Sequence, residues 1–188
     1  LGGNSLSDLI VFGKLAGDGA AAYVKGLGAA PGISDEGVSD AVRAATAPLN
    51  REVGENPFQL HDELCEIMGE HVGIYRTEDG LTAGLEKLAS WREKIKSTKA
   101  HASSQYNAGW HEALDLESMA VVSQAVALAA RERKESRGAH SRADYETEDY
   151  EIWGKVNLVI RKGDTGDMEL SHLARPAPDP ELEKIARA

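Results

Sequence analysis

Cysteine is nearly missing from this chain: Cys65 is the only one among 188 residues. A single thiol closes no disulfide within the chain and builds no cysteine-based zinc or iron–sulfur site. A reducing compartment fits that usage best. Excess positive charge is missing too, because 21 Lys and Arg face 31 Asp and Glu, for a formal net charge of −10. With no basic cluster to offset it, nucleic acid is not an expected partner. No uninterrupted apolar run approaches the roughly 20 residues of a bilayer-spanning helix, so no membrane span is expected. The Gly-x-Gly-x-x-Gly fingerprint of a dinucleotide-binding turn does not occur. What is present is 41% hydrophobic and 28% charged residues, the balance of a globular chain long enough to bury a core.

The pattern is helical for most of its length. Residues 5–27 read as an alanine-rich helix with Ser5 or Ser7 as cap and Asp8 at its positive end. Gly26 and Gly28 end it, and Ala30-Pro31-Gly32 makes a loop. Ser34-Asp35-Glu36 starts a second helix, which Pro48 should break. Asn56-Pro57 is a strong helix start, followed by Leu60, Leu64, Ile67, Met68 and Val72 at helical spacing and closed by Gly73. Thr77 caps the next segment, with its stripe of Leu81, Leu85, Leu88 and Ile95. The longest helical pattern covers residues 107–137. Its expected apolar face is Val121, Val122, Ala125, Leu128 and Ala129, and Gly138 suits its end.

Three long amphipathic segments in series bury their stripes most simply as an up-down-up bundle. After Asp149 the texture changes. Ile152, Trp153, Val156, Leu158 and Ile160 suggest a strand, Lys162 to Gly166 a turn, and Met168-Glu169-Leu170 a return strand. Pro176, Pro178 and Pro180 give an extended tail before a brief helix over 181–188. The fold class is therefore mainly α: a helical bundle of about three long helices plus an N-terminal helix, followed by a small C-terminal β-hairpin.

Two segments carry a resemblance. The first runs Leu1-Gly2-Gly3-Asn4-Ser5-Leu6-Ser7-Asp8-Leu9-Ile10-Val11-Phe12-Gly13. It resembles the isoalloxazine-binding segment of the succinate dehydrogenase and fumarate reductase flavoprotein family. The L-aspartate oxidases carry a similar segment, but the glycine pair favours the dehydrogenase branch. Paired glycines let a backbone approach a flat ring, and a helix start offers N–H groups with no internal partner to a group gaining negative charge. The resemblance implies FAD as cofactor, with Asn4, Ser5 and Leu6 as the binding residues and backbone contacts at Ser5 and Leu6. A glycine turn with an ordinary serine cap is the bland alternative for the same residues.

The second segment is Glu135-Ser136-Arg137-Gly138-Ala139-His140-Ser141-Arg142-Ala143-Asp144-Tyr145, similar to the turn that follows the helical domain in the same family. Arg137 and Arg142 are expected to bond across it, and His140 to bond a helix-end carbonyl rather than act in catalysis. Val72-Gly73-Ile74-Tyr75-Arg76 and Leu173-Ala174-Arg175-Pro176 match more loosely.

The resemblance divides the chain into the end of a FAD-binding domain at 1–50, a helical domain at 51–145, and a hairpin with tail at 146–188. It implies the C-terminal part of a subunit that interconverts succinate and fumarate. No catalytic residue falls in this chain, and this piece alone should be inactive. The partners implied are upstream FAD-binding and capping domains of the same subunit, an iron–sulfur subunit and a quinone-bearing membrane anchor. That places the protein in the cytoplasm, peripheral on the inner face of the cell membrane. The start at Leu1 reads as the start of a piece of a longer protein. Ile10, Val11, Phe12 and Leu15 would then lack their cover, and the helix is expected to bury itself in a partner copy, swap with one, or stay mobile. An L-aspartate oxidase-like flavoenzyme and a stand-alone helical interaction module are the rival readings.

Other clusters read as structure. His61 and Cys65 lie one turn apart, but two ligands make no metal site, and Cys65 is expected in or near the core. Glu66, Glu70 and His71 read as a solvated face. Arg131-Glu132-Arg133-Lys134-Glu135 reads as an exposed run with local pairs. Trp91, Trp110 and Trp153 read as packing anchors.

Overall fold

The computed structural model describes residues 4–177 and 179–186, without the side chains of Asn4, Leu182, Glu183 and Ala186. Leu1, Gly2, Gly3, Pro178 and residues 187–188, all of which figured in the expectations above, lie outside the described residues. Two compact units form, residues 1–44 and 45–188.

The first unit contains α1 (Asn4–Gly26) and most of α2 (Asp35–Asn50). Gly28 ends the first helical stretch at φ +68°, the left-handed conformation that glycine adopts without strain. Ser34 caps α2 through its Oγ, which accepts from the Gly37 N–H at 3.0 Å. On α1, Ile10 is 73% exposed and Phe12 63%.

Pro48 does not break α2 as expected. It lies in the last turn, where the helix runs only two residues further, so the missing N–H costs one bond near an end that frays anyway. Its ring is buried and its carbonyl accepts from Ala100 N at 2.9 Å.

The second unit is built on α3 (Pro57–His71), α4 (Glu78–Ile95) and α5 (Ala108–Glu132), each packed against the other two. Each start is capped from its own sequence. Asn56 Oδ1 accepts from Phe58 N at 2.9 Å, Thr77 Oγ1 from Gly80 N at 3.1 Å, and Asn107 Oδ1 from Trp110 N at 2.9 Å. Leu60, Leu64, Leu81, Leu88, Trp91, Ile95 and Leu116 fill the core, with Leu81 fully buried. Trp91 donates Nε1–H to the Leu60 carbonyl at 2.8 Å, and Trp110 donates to the Ala45 carbonyl at 2.7 Å. Both anchors therefore satisfy their polar atoms while filling space.

Two expectations about α5 fail. The buried face is Ala113, Leu116, Ala120, Ser123, Ala127 and Ala130, while Val122 is 61% exposed. Small side chains let the helix axes approach closely, so packing selects the alanine stripe rather than the more hydrophobic valines. The helix also stops at Glu132, with Arg133 already extended, five residues before the predicted end. By length and composition α5 does match a membrane span, unlike the expectation of none, but its small-residue face is buried against α3 and α4 as a core helix.

Past α5 the chain makes a two-residue parallel bridge, β1 (Tyr75–Arg76) with β2 (Ser141–Arg142). A 3-10 turn at Trp153–Lys155 replaces the start of the expected strand. The antiparallel hairpin is β3 (Val156–Lys162) with β4 (Met168–Ala174), paired from Val156↔Ala174 to Lys162↔Met168. β4 is therefore longer than the predicted return strand and takes in Leu173-Ala174. A short α6 (Pro180–Ala186) follows. Cys65 is exposed, not in the core. His71 leaves the expected solvated face and has a largely covered side chain.

Candidate functional site

Two places were marked by the sequence: the start of α1 and the turn after α5. At the first, Asn4 opens α1, and Ser5 and Leu6 are exposed in its first turn. No acidic residue lies in that turn, so no carboxylate of the helix's own first turn competes for the leading N–H groups. What this arrangement can do is stabilise negative charge on a group set against it.

The second place ties three helix ends together. Arg142 is 1% exposed. Its Nη1 donates to the carbonyls of Ala130 and Arg131, each at 3.0 Å, at the otherwise unsatisfied end of α5. Its Nε and Nη2 grip Asp144 in a two-pronged pair at 2.7 and 2.8 Å, and Nη2 also reaches Glu78 at 3.1 Å. Asp144 in turn accepts the Glu78 N–H, the first of α4, at 2.7 Å. A cation thus sits at a helix C-terminus and an anion at a helix N-terminus, each matching the local dipole. The Arg142 guanidinium and the Glu78 N–H hold the Asp144 carboxyl down at about 2.

Arg76 closes the end of α3 by donating Nε–H to the carbonyls of Gly73 at 2.9 Å and Val72 at 3.2 Å. Its Nη1 meets His140 Nδ1 at 2.9 Å, and His140 Nε2 meets the Arg133 carbonyl at 3.0 Å. A guanidinium can only donate, so Nδ1 accepts and the proton of a neutral ring sits on Nε2. Burial, with Arg76, Arg142 and Arg133 around it, pushes the His140 pKa down. His140 therefore joins a helix-end carbonyl, as expected, in the neutral form.

The charged run ending at Glu135 is not the solvated face expected. Glu135 is fully buried, with Arg137 on one side at 2.9 and 3.0 Å and Arg133 on the other at 2.7 Å. Burial alone would raise its pKa. The bonds from Arg137, the Asp149 N–H and Arg133 outweigh that and bring it to about 2. Arg133 also donates to the carbonyls of Trp153 at 3.1 Å and Val156 at 3.3 Å, which fastens the root of the hairpin to the end of α5. The former metal-pair candidate His61 bonds Glu112 through Nδ1.

These shifts carry a sign. His140 is held neutral when folded, so the unfolded chain binds more protons below the ordinary value of 6.5, and stability falls as pH drops through the lowered folded value. Glu135 and Asp144 add a second loss between their ordinary 4.5 and 3.8 and their folded values of about 2. Urea titrations from pH 8 to pH 3 should show both declines. His140→Gln should lessen the first and leave the second.

Residues 61–184 match the family described as fumarate reductase flavoprotein C-term. The chain belongs to that family. It is 36% identical over 172 residues to the succinate dehydrogenase flavoprotein subunit of Coxiella burnetii, covering 87% of this chain and 28% of that protein. It is 36% identical over 150 residues to the fumarate reductase flavoprotein subunit of Escherichia coli, covering 77% and 24%. Among solved structures, Mycobacterium smegmatis Sdh1 in complex with UQ1 superposes with a TM-score of 0.84 at 40% identity, covering 96% of this chain and 30% of that one. The chain thus spans about a quarter of the length of these curated relatives. The flavoprotein family implies FAD in the intact protein.

Proposed function

We propose that this chain is the C-terminal part of an FAD-dependent flavoprotein subunit that interconverts succinate and fumarate. The observation that carries this is the start of α1: a glycine-led motif opening a 23-residue helix with Ser5 and Leu6 exposed and no acid in its first turn. That fits one wall of a flavin site. The backbone at Ser5 and Leu6, with Asn4 beside it, would hold the ring, and the leading N–H groups would favour the charge of the reduced form. Bound FAD supplies the hydride acceptor.

On this reading residues 1–50 close the FAD-binding domain, 51–145 form the helical domain and 146–188 the hairpin and tail. The remaining walls belong to upstream FAD-binding and capping domains. Electrons would leave to an iron–sulfur subunit and a membrane anchor, with the flavoprotein on the cytoplasmic face of the membrane. The test compares the intact subunit with this chain alone. The intact subunit should reduce a dye in a succinate-dependent way. The isolated 188 residues should not, and should bind FAD weakly, because one wall cannot repay the ordering of a large cofactor. Micromolar FAD binding by the isolated chain, or a succinate-inert intact subunit, would overturn the proposal.

A further inference from the structure

The loop between α4 and α5, residues 96–107, is held in a shape that its own residues resist. Ala102 and Tyr106 have φ of +72° and +52°, in the left-handed region where a bulky non-glycine residue is an outlier. Among the described residues they are the two non-glycines found there. Asn107 locks the shape. Its buried side chain donates to the carbonyls of His101 at 2.7 Å and Ser103 at 2.8 Å while its Oδ1 caps α5. Glycine would hold either position without strain. The Tyr106 ring is fully exposed, so packing among the described residues gives no reason for a tyrosine there.

The surroundings are almost without charge. Residues 97–111 contain one Lys and no Arg, Asp or Glu, in a chain that is 28% charged. That lysine, Lys99, is turned back onto the Arg51 carbonyl. Phe58, half exposed at the start of α3, lies beside Gly109, where an added methyl would meet its ring at 3.6 Å. Depletion of charge around exposed aromatic rings is the composition of an interface core, and tyrosine is enriched among the residues that carry binding energy. The flanks of the loop are bonded to the place where the chain enters this unit. Ala100 N donates to the Pro48 carbonyl at 2.9 Å, and Trp110 Nε1 to the Ala45 carbonyl at 2.7 Å. The preceding chain therefore enters beside the loop, and tethering raises its local concentration there. A second copy has no tether and carries the same net charge of −10 against this one.

We infer that Tyr106 and the loop around it dock into an uncharged, apolar socket on the part of the subunit that precedes this chain, a docking that rests on the proposed reading of the chain as the C-terminal part of such a subunit. The strain then has a use. A loop already locked by Asn107 presents its ring in the docking geometry, so little ordering remains to oppose binding.

The test places one fluorine on Tyr106, introduced at that codon as 3-fluorotyrosine, and reads burial from the change in fluorine-19 resonance between light and heavy water. The isolated chain should show the full change of free fluorotyrosine, and the intact subunit should lose most of it. Tyr106→Ala should leave the urea midpoint of the isolated chain in place and lower that of the intact subunit. A full solvent change in the intact subunit overturns the inference, as does an intact-subunit midpoint that the alanine variant leaves unmoved. Loss of the change in the isolated chain as its concentration rises would assign the surface to a second copy and overturn it too. Succinate-dependent dye reduction by the same intact subunit reads the functional proposal separately. An active subunit with an exposed Tyr106 sinks only the docking, and an inert subunit with a buried Tyr106 sinks only the activity.

Discussion

Replacing Arg142 with alanine should destabilise the unit of residues 45–188 by about 3–5 kcal/mol, the cost of removing one partner from a buried charged pair. The change leaves Asp144 without its two-pronged partner and strips the Ala130 and Arg131 carbonyls of their donor. Water cannot readily replace the guanidinium there, because the side chain is fully buried. Arg142→Lys should recover only part of the loss, since an ammonium keeps the charge but cannot span Asp144 and the helix end together. Urea denaturation followed by circular dichroism measures both. A loss under about 1 kcal/mol, the size expected of an exposed pair, would show that the three helix ends are not held through this residue.

Trp91→Ala should cost a similar amount, about 3–5 kcal/mol, by a different route. Trp91 is 1% exposed at the centre of the three-helix core. Its loss opens a cavity that Leu60, Leu64 and Leu88 can only partly fill, and it also removes the donor to the Leu60 carbonyl. Trp91→Phe should cost less, because it keeps most of the volume and loses mainly the hydrogen bond. The two sites differ in their response to acid. The Arg142 effect should shrink below about pH 3 as Asp144 takes a proton, whereas the Trp91 effect should not.

The bundle was legible because its signals are local. Asn56-Pro57, Thr77 and Asn107 announce helix starts through their own side chains, and the leucine stripes of α3 and α4 point where their spacing says. The face of α5 was not legible, because hydropathy ranks valine above alanine while close helix packing does the reverse. Its end was missed for a related reason. The run from Arg131 to Glu135 has good helix formers throughout, and the helix stops at Glu132 because Arg142 and His140 take up its last carbonyls from further along the chain. Glu135 looked solvated because the two arginines that bury it could as well have faced water.

The polar cluster was half visible. The bond of His140 to a helix-end carbonyl followed from where it stands, just after a long helix. Its other partner, Arg76, lies 64 residues away, a distance over which no local pattern operates. The same holds for the Asp144 carboxylate on the first N–H of α4, 66 residues back. The residues proposed for the flavin site, Asn4, Ser5 and Leu6, are marked only by the motif that contains them, since glycines before a capped helix are common by themselves.

Ser5→Pro in the intact subunit tests the proposal that the first turn of α1 holds a flavin. Proline is tolerated in the first turn of a helix, so the change removes one N–H donor and leaves α1 standing. The measurement is the midpoint potential of the bound FAD by spectroelectrochemical titration. A shift to a lower potential, with the reduced flavin less favoured, is the predicted result. A fully loaded variant with the native potential and native succinate turnover would contradict it.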